Sequence, residues 1–149
     1  QTLGVATADN PDGAAGWILE KFGVWADLPK RSDASPDLWA RFSEEDLVTN
    51  MMLYLAPSSV VTATWIYHGK RLEGSAKFPA GASVRTPMGV AAFPDPVFEP
   101  TPRSYAEKFY NVIHWTDMEK GGHFAAMEEP ELMLADLRKF IGLLNDYRS

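Results

Sequence analysis

The chain has 149 residues, of which 46% are apolar, and a formal charge of −6, which suits one soluble globular domain. The acidic balance and the lack of a Lys/Arg stripe argue against a nucleic-acid partner, and the absence of cysteine excludes disulfides, a thiol nucleophile and cysteine-based metal sites. No apolar run approaches the length of a membrane span and no signal sequence opens the chain, so we expect a soluble, cytoplasmic protein.

The first part of the chain is predicted to be mainly helical. Residues 1–8 suggest a linker or a short strand. Asn10 can then cap a helix that Gly23 ends, because an asparagine side chain accepts N–H bonds from a first turn and glycine is common just past a helix. The start at Gln1 without Met, followed so soon by a helix, leads us to expect the C-terminal fragment of a larger fold.

Two more helices are predicted before the glycine-rich middle of the chain. Ser43 precedes three acidic residues and a helical apolar pattern, which Pro57 ends. Ser58 or Ser59 can cap a third segment at 60–67. Its β-branched residues leave helix and strand close in odds, and the caps favour a helix.

The C-terminal half alternates strands and helices. After a loop with glycine and lysine at 69–81, an almost continuous apolar run at 84–93 predicts a buried strand of a parallel sheet. A capped helix at 101–110 and a second strand at 112–115 follow. The last helix starts at Pro130, and its apolar face consists of Met133, Leu134, Leu137, Phe140, Ile141 and Leu144. This order predicts an α/β fold with parallel strands.

Residues suited to acid–base chemistry follow both predicted strands. Asp95 comes after the first strand, and His123 comes after the second, beyond the turn Gly121-Gly122. Because ligands bind beyond the carboxyl ends of parallel strands, both residues belong to one edge of the sheet. A histidine can take and return a proton near neutral pH, and an aspartate bonded to its other nitrogen fixes the tautomer. From the residues alone, a surface histidine and an ordinary turn acid remain alternatives.

The other two histidines favour structural interpretations. His114 is predicted to be a packed or half-exposed strand residue, and His68 is predicted to follow a helix end, where a cation is favoured. No His-Glu-x-x-His motif and no Asp-rich calcium loop occurs, so the sequence predicts no metal site.

The run Gly-Gly-His-Phe-Ala-Ala-Met-Glu-Glu-Pro-Glu-Leu at 121–132, followed by Asp-Leu-Arg-Lys-Phe at 136–140, resembles the C-terminal end of the microsomal-type epoxide hydrolases. These enzymes are a branch of the α/β-hydrolase superfamily, and the resemblance extends through most of the chain. It implies the C-terminal portion of an α/β-hydrolase fold. Residues 1–80 would belong mostly to the lid and its connection to the core, and residues 81–149 would complete the core.

The resemblance also implies roles for named residues. His123 would be the general base and Asp95 its relay acid. The family usually places this acid two residues after a Phe-Pro pair, where this chain has Pro96, so Glu99 is the second candidate. Tyr67 falls in the lid stretch, where a family tyrosine donates its hydroxyl to the epoxide oxygen; a packing tyrosine is the alternative.

The nucleophile of such an enzyme has no recognisable motif in these 149 residues. No Gly-x-Ser-x-Gly elbow and no equivalent with a central aspartate occurs. In the α/β-hydrolases the nucleophile precedes the acid and the histidine, so the resemblance implies that the N-terminal part of the same enzyme supplies it. The implied reaction needs no cofactor. It converts an epoxide to a vicinal diol through a covalent aspartyl ester, in detoxification or secondary metabolism.

Two other functions remain open from the sequence. A serine-type α/β-hydrolase, such as an esterase, would share the histidine turn and differ in its nucleophile. A non-catalytic interaction domain would need no nucleophile at all. Assembly into a homo-oligomer also remains open.

Overall fold

The computed structural model describes residues 2–74 and 81–148, so residues 75–80 of the predicted loop lie outside the described residues. The described residues form two compact units, one of residues 2–24 and 30–74 and the other of residues 25–29 and 81–148. The elements are, in chain order, α1 (Thr2–Thr7), α2 (Pro11–Trp25), a short 3₁₀ helix (Leu38–Ala40), α3 (Glu44–Leu55), α4 (Val60–Ala63), α5 (Trp65–Leu72), β1 (Val84–Ala92), α6 (Arg103–Ala106), β2 (Tyr110–Asp117), α7 (Ala125–Glu128) and α8 (Pro130–Arg148). Of the helices in these ranges, none is long and apolar enough to span a bilayer.

Two helices of the first unit begin at the predicted capping residues. The Asn10 side chain accepts a 2.9 Å hydrogen bond from the Gly13 N–H in α2. The Ser43 hydroxyl accepts a 3.1 Å bond from the Asp46 N–H in α3. Each bond satisfies a donor that has no partner within its own helix, so these side chains set where the helices start.

Three other predictions for this unit are wrong. Residues 1–8 are not a linker or strand, since most of them form α1. Gly23 does not end α2, which continues to Trp25; a glycine within a helix is unfavourable but tolerated. His68 lies inside α5 rather than after the end of a helix.

The third predicted helix, at 60–67, is divided into α4 and α5. Thr64 lies between them, and its hydroxyl donates a 2.6 Å bond to the Val61 carbonyl. Such a bond competes with the regular helical hydrogen bonds, which accounts for the division. Because α5 continues to Leu72, the first part of the predicted loop at 69–81 is helical instead.

The two strands pair in parallel, as the order of strands and helices predicts. The register shifts between Val84 and Pro87, and again between Met88 and Gly89. Pro87 has no N–H to donate, so the ladder is interrupted there. The prediction that this strand is buried is wrong: β1 is half-buried, since β2 alone pairs with it among the described residues.

The connections after β1 and β2 differ from the predicted ones. The helix predicted at 101–110 is the short α6, and β2 already begins at Tyr110. The one-turn helix α7 was not predicted. The long helix α8 begins at Pro130 as predicted, and it packs on the sheet through Phe140. The Phe140 ring lies so close to Gly89 that a Cβ on this glycine would be 2.7 Å from Phe140 Cδ2. Much of the predicted apolar face is exposed in this chain, with Leu134, Leu137 and Ile141 40–48% exposed.

A buried polar cluster joins β2 to α8. Asp136 Oδ1 accepts a 2.6 Å bond from the Thr116 hydroxyl and lies 2.8 Å from His114 Nε2. The His114 ring also stacks on Phe140, with the ring centroids 6.3 Å apart. His114 is therefore a half-buried strand residue, as predicted, but its aspartate partner was not predicted.

Asp136 should make the stability of the fold dependent on pH. Burial raises the pKa of Asp136, but the bonds from Thr116 and His114 and the nearby charges of His114 and Lys139 outweigh it, so the pKa lies below its ordinary value of 3.8. Because the folded pKa is below the unfolded one, this carboxylate stabilises the fold above pH 3.8 and loses that effect as the pH falls through the folded pKa. Asp136→Asn should therefore lower the free energy of unfolding by about 1–3 kcal/mol at neutral pH and flatten its decline in acid.

Urea titrations of the full-length protein across the acid range measure both effects. Asp9→Asn is the matched control, because Asp9 is an exposed aspartate outside this cluster, and it should leave the curve unchanged. A decline as steep in Asp136→Asn as in the wild type would contradict this assignment.

Candidate active site

Two of the predicted site residues meet beyond the carboxyl ends of the parallel strands. His123 Nδ1 lies 2.7 Å from Asp95 Oδ2. Both side chains are largely covered, with 28% of His123 and 17% of Asp95 exposed. Since Asp95 follows β1 and His123 follows β2, the parallel pairing brings together residues that are 28 positions apart.

The second oxygen of Asp95 is held by its own loop. Oδ1 accepts a 2.7 Å bond from the Val97 N–H and a 3.2 Å bond from the Phe98 N–H. Burial raises the pKa of Asp95, but the Val97, His123 and Phe98 bonds together outweigh it and hold the pKa below its ordinary value. The carboxylate is thus ionised at neutral pH and turns Oδ2 towards His123.

Three aromatic rings surround the imidazole of His123. The Trp25 ring meets it edge-on with centroids 4.9 Å apart, and the Phe124 ring does so at 5.2 Å. The Phe98 ring lies at a tilt with its centroid 5.7 Å away. Packing of this kind restricts the rotamers open to His123, so the Asp95 contact is supported by shape as well as by hydrogen bonding.

The glycines before His123 are required by the backbone. Gly121 has a φ of +100°, a backbone conformation that residues other than glycine rarely adopt. A Cβ on Gly122 would lie 2.6 Å from the Asp27 backbone nitrogen and 2.8 Å from the Trp25 carbonyl oxygen. The turn therefore packs directly on residues 25–27, and the His123 N–H donates a 3.0 Å bond to the Trp25 carbonyl.

Two carboxylates that the sequence analysis missed support this turn. Glu128 accepts hydrogen bonds from the Gly122 and Phe124 N–H groups, and Asp27 Oδ2 accepts a 3.1 Å bond from the Gly121 N–H. Glu128 follows the apolar run Phe-Ala-Ala-Met just before the last helix, but the sequence did not distinguish it from Glu129, the next residue. Asp27 carried no signal either, since it lies 94 positions from Gly121 in a polar loop.

An open cavity of about 430 Å³ adjoins this pair. It touches both His123 and Asp95, and its other walls are mainly apolar, including Met88, Phe98 and Trp115. A mainly apolar lining with a few polar groups is typical of sites that bind small molecules. Within residues 2–74 and 81–148, no group of three His, Asp or Glu side chains could hold a metal ion.

The remaining predicted site residues lie elsewhere. Glu99 is exposed on the loop after β1, and Asp95 rather than Glu99 contacts His123. Tyr67 belongs to the first unit, where it lies on α5 with 63% of its surface exposed. It is therefore not a packing tyrosine of that unit.

Comparison with known proteins finds relatives among the epoxide hydrolases. Epoxide hydrolase 1 of Oryctolagus cuniculus is 38% identical over 144 residues, which are 96% of this chain and 32% of that protein. The chain is homologous to a C-terminal part of the epoxide hydrolases. Juvenile hormone epoxide hydrolase 1 of Ctenocephalides felis is 33% identical, over 91% of this chain and 30% of that protein. The chain therefore spans about a third of the length of the epoxide hydrolases that it matches. No protein-family model matches the chain.

A solved epoxide hydrolase shares the fold. The crystal structure of juvenile hormone epoxide hydrolase from the silkworm Bombyx mori matches with a TM-score of 0.72 at 27% identity, covering 99% of this chain and 38% of that one. The chain therefore has the fold of a C-terminal portion of an α/β-hydrolase, as the sequence predicts.

Proposed function

We propose that this chain carries one part of an epoxide hydrolase active site. In this proposal His123 is the general base, Asp95 is its relay acid, and Tyr67 donates a hydrogen bond to the epoxide oxygen. The observation that carries the proposal is the 2.7 Å contact between His123 Nδ1 and Asp95 Oδ2, in a chain whose relatives are named epoxide hydrolases. The nucleophile is an aspartate in another part of the same enzyme.

The first step opens the ring. The carboxylate of the nucleophile attacks one epoxide carbon, the carbon–oxygen bond breaks, and its electron pair moves to the oxygen. Tyr67 stabilises that oxygen by donating a hydrogen bond, and a phenol suits this task because it is a neutral donor in an apolar site. The product is an ester between the aspartate and the ring-opened substrate, whose other oxygen is an alkoxide bonded to Tyr67.

The second step releases the diol. Asp95 accepts the hydrogen bond of His123 Nδ1–H, which leaves Nε2 as the base. Nε2 takes a proton from water as the water oxygen attacks the ester carbonyl, and Asp95 stabilises the imidazolium that forms. The ester bond then breaks, and the leaving diol oxygen takes the proton from the imidazolium. The other water proton, left on the released carboxyl group, passes through solvent to the alkoxide oxygen of the first step, which completes the diol and regenerates the nucleophilic carboxylate.

The surfaces of the chain support an organisation into lid and core. We assign residues 1–80 mostly to the lid and residues 81–149 to the core. Large apolar side chains are exposed in both units, among them Ile66 on α5 and Leu137 on α8. Exposed apolar surface on this scale marks a site of interaction. In the proposed enzyme, the part that carries the nucleophile covers the exposed face of α8.

Removing the general base should trap the ester in the full-length enzyme. His123→Ala should still be alkylated, because the histidine acts on water and not on the epoxide, and the protein mass should rise by one substrate. Diol formation should fall by on the order of 10²-fold or more. Incubation with styrene oxide followed by intact-protein mass spectrometry measures the trapped ester.

His68→Ala is the control, because His68 is an exposed histidine on α5, and it should turn over without trapping. Wild-type diol formation by His123→Ala would remove His123 from the mechanism. If the wild-type protein itself forms no diol from any epoxide tested, the proposed activity is wrong.

The identity of the relay acid can be tested with one pair of variants. Asp95→Asn should keep the alkylation rate and slow ester hydrolysis by on the order of 10³-fold, because an amide cannot stabilise the imidazolium and can favour the wrong tautomer. Glu99→Gln should be nearly silent, since Glu99 is exposed. Single-turnover kinetics resolve the two steps, and the reverse pattern would assign the role to Glu99.

The lid tyrosine should act on the other step. Tyr67→Phe should slow alkylation by on the order of 10²-fold if it acts alone, and leave hydrolysis of the trapped ester unchanged, because the alkoxide forms only during ring opening. Tyr54→Phe, on α3 of the same unit, is the matched control. An alkylation rate in Tyr67→Phe equal to that of the wild type would exclude Tyr67 as the donor.

A further inference from the structure

The carboxylate of Glu128 binds three backbone N–H groups in a buried position. Only 6% of the residue is exposed. Its Oε1 accepts a 2.8 Å bond from the Phe124 N–H, and its Oε2 accepts bonds of 2.9 Å from the Gly122 N–H and 2.7 Å from the Asp27 N–H. Because charged acceptors make strong hydrogen bonds and buried donors cannot turn to water, these contacts fix the local backbone.

Two of the three donors flank His123 directly. Gly122 precedes it and Phe124 follows it, so one side chain holds the main chain on both sides of the imidazole. The third donor, Asp27, belongs to the segment that contacts His123 in two further ways. Its Trp25 carbonyl accepts the His123 N–H bond, and the Trp25 ring packs against the imidazole.

The tight packing at Gly122 limits any rearrangement of this turn. A Cβ there would lie 2.6 Å from the Asp27 nitrogen, so the two backbone segments already touch. Glu128 satisfies the N–H groups of both segments at this contact. Loss of its charge would leave at least one of them without an acceptor in a buried or part-buried position, which is unfavourable, and the turn would have to move to relieve this.

We propose that Glu128 is the positioning residue of His123, holding the imidazole at hydrogen-bonding distance from Asp95 by fixing the backbone on both sides of it. This inference rests on the proposed function for its catalytic consequence, but not for its structural one. Glu128 touches no reacting atom in the proposed mechanism. It acts through the position of His123 alone.

Glutamine is the most informative replacement because it keeps the shape and removes the charge. Its amide offers one acceptor oxygen and a donor NH₂ group, and that NH₂ group would face a backbone N–H. Glu128→Gln can therefore keep at most part of the three contacts. Glu131→Gln is the matched control, since Glu131 is an exposed glutamate three positions further on, in the first turn of α8.

The first measurement needs no turnover. Hydrogen exchange of the full-length protein should show slow exchange for the peptide covering 121–125 in the wild type and Glu131→Gln, and at least about tenfold faster exchange in Glu128→Gln, with β1 and β2 unchanged. The low-field proton signal of the His123–Asp95 bond, identified by its loss in Asp95→Asn, should weaken in Glu128→Gln only. Rapid exchange at 121–125 in the wild type, or an unchanged proton signal in Glu128→Gln, would overturn the proposal.

The second measurement separates positioning from general damage to the fold. In single turnovers with styrene oxide, Glu128→Gln should slow ester hydrolysis by on the order of 10-fold to 10²-fold while alkylation stays within about twofold, because small misplacement of a catalytic group has effects of this size. Equal slowing of both steps, or of neither, would contradict the proposal.

Two further arrangements keep the test decisive. If Glu128→Gln does not fold, Glu128→Asp replaces it with the same expectations, since it keeps the charge and withdraws the carboxylate by one methylene. If the wild-type protein forms no diol, the proposed function fails, while the exchange and proton-signal measurements still decide the structural role of Glu128.

Discussion

The candidate site depends on the close contact between the turn at Gly122 and the backbone of residues 25–27. That contact leaves no room for a Cβ, and it brings the Trp25 carbonyl within 3.0 Å of the His123 nitrogen. This contact helps to set the position of the imidazole, because it fixes the main chain of His123 while Asp95 holds the side chain. Position 122 requires glycine because a Cβ would collide with the backbone of residues 25–27, whereas Gly121 also requires it because its φ is positive. An imidazole held in this way needs no reordering before it acts, as the proposed mechanism requires.

The chain contains two His–Asp pairs, and their surroundings differ in ways that matter chemically. His123 uses Nδ1 towards its aspartate and lies beside a cavity, and in the proposed mechanism its Nε2 is the base. His114 uses Nε2 towards Asp136, with Thr116 on the same carboxylate oxygen, and stacks on Phe140. The same two residue types therefore form a candidate catalytic pair in one place and a buried link between a strand and a helix in the other. Geometry, rather than composition, distinguishes them.

Local signals predicted much of the fold, and long-range packing accounts for what they missed. The caps at Asn10 and Ser43 and the start of α8 depend on residues within a few positions of each other. The two strands were predicted from local apolar runs, and their parallel pairing from the order of strands and helices. The meeting of Asp95 and His123 was also predictable, because the carboxyl ends of parallel strands share an edge. The Glu128 contact with Asp27 was not, since it joins residues 101 positions apart. Burial was misjudged for β1 because an apolar run does not reveal how many strands lie beside it.

The proposed relay acid, Asp95, stands one position earlier than the resemblance implies, and its carboxylate still meets His123. The resemblance places the relay acid where this chain has Pro96, one position later than Asp95. The Val97 and Phe98 N–H groups bind Asp95 Oδ1 in a turn typical of aspartate, which directs the other oxygen to His123. A proline within that turn keeps its φ fixed, and it has no N–H that would compete for the carboxylate. The loop therefore brings the Asp95 carboxylate to His123 despite the difference of one residue in spacing, which is what the proposed role of Asp95 requires.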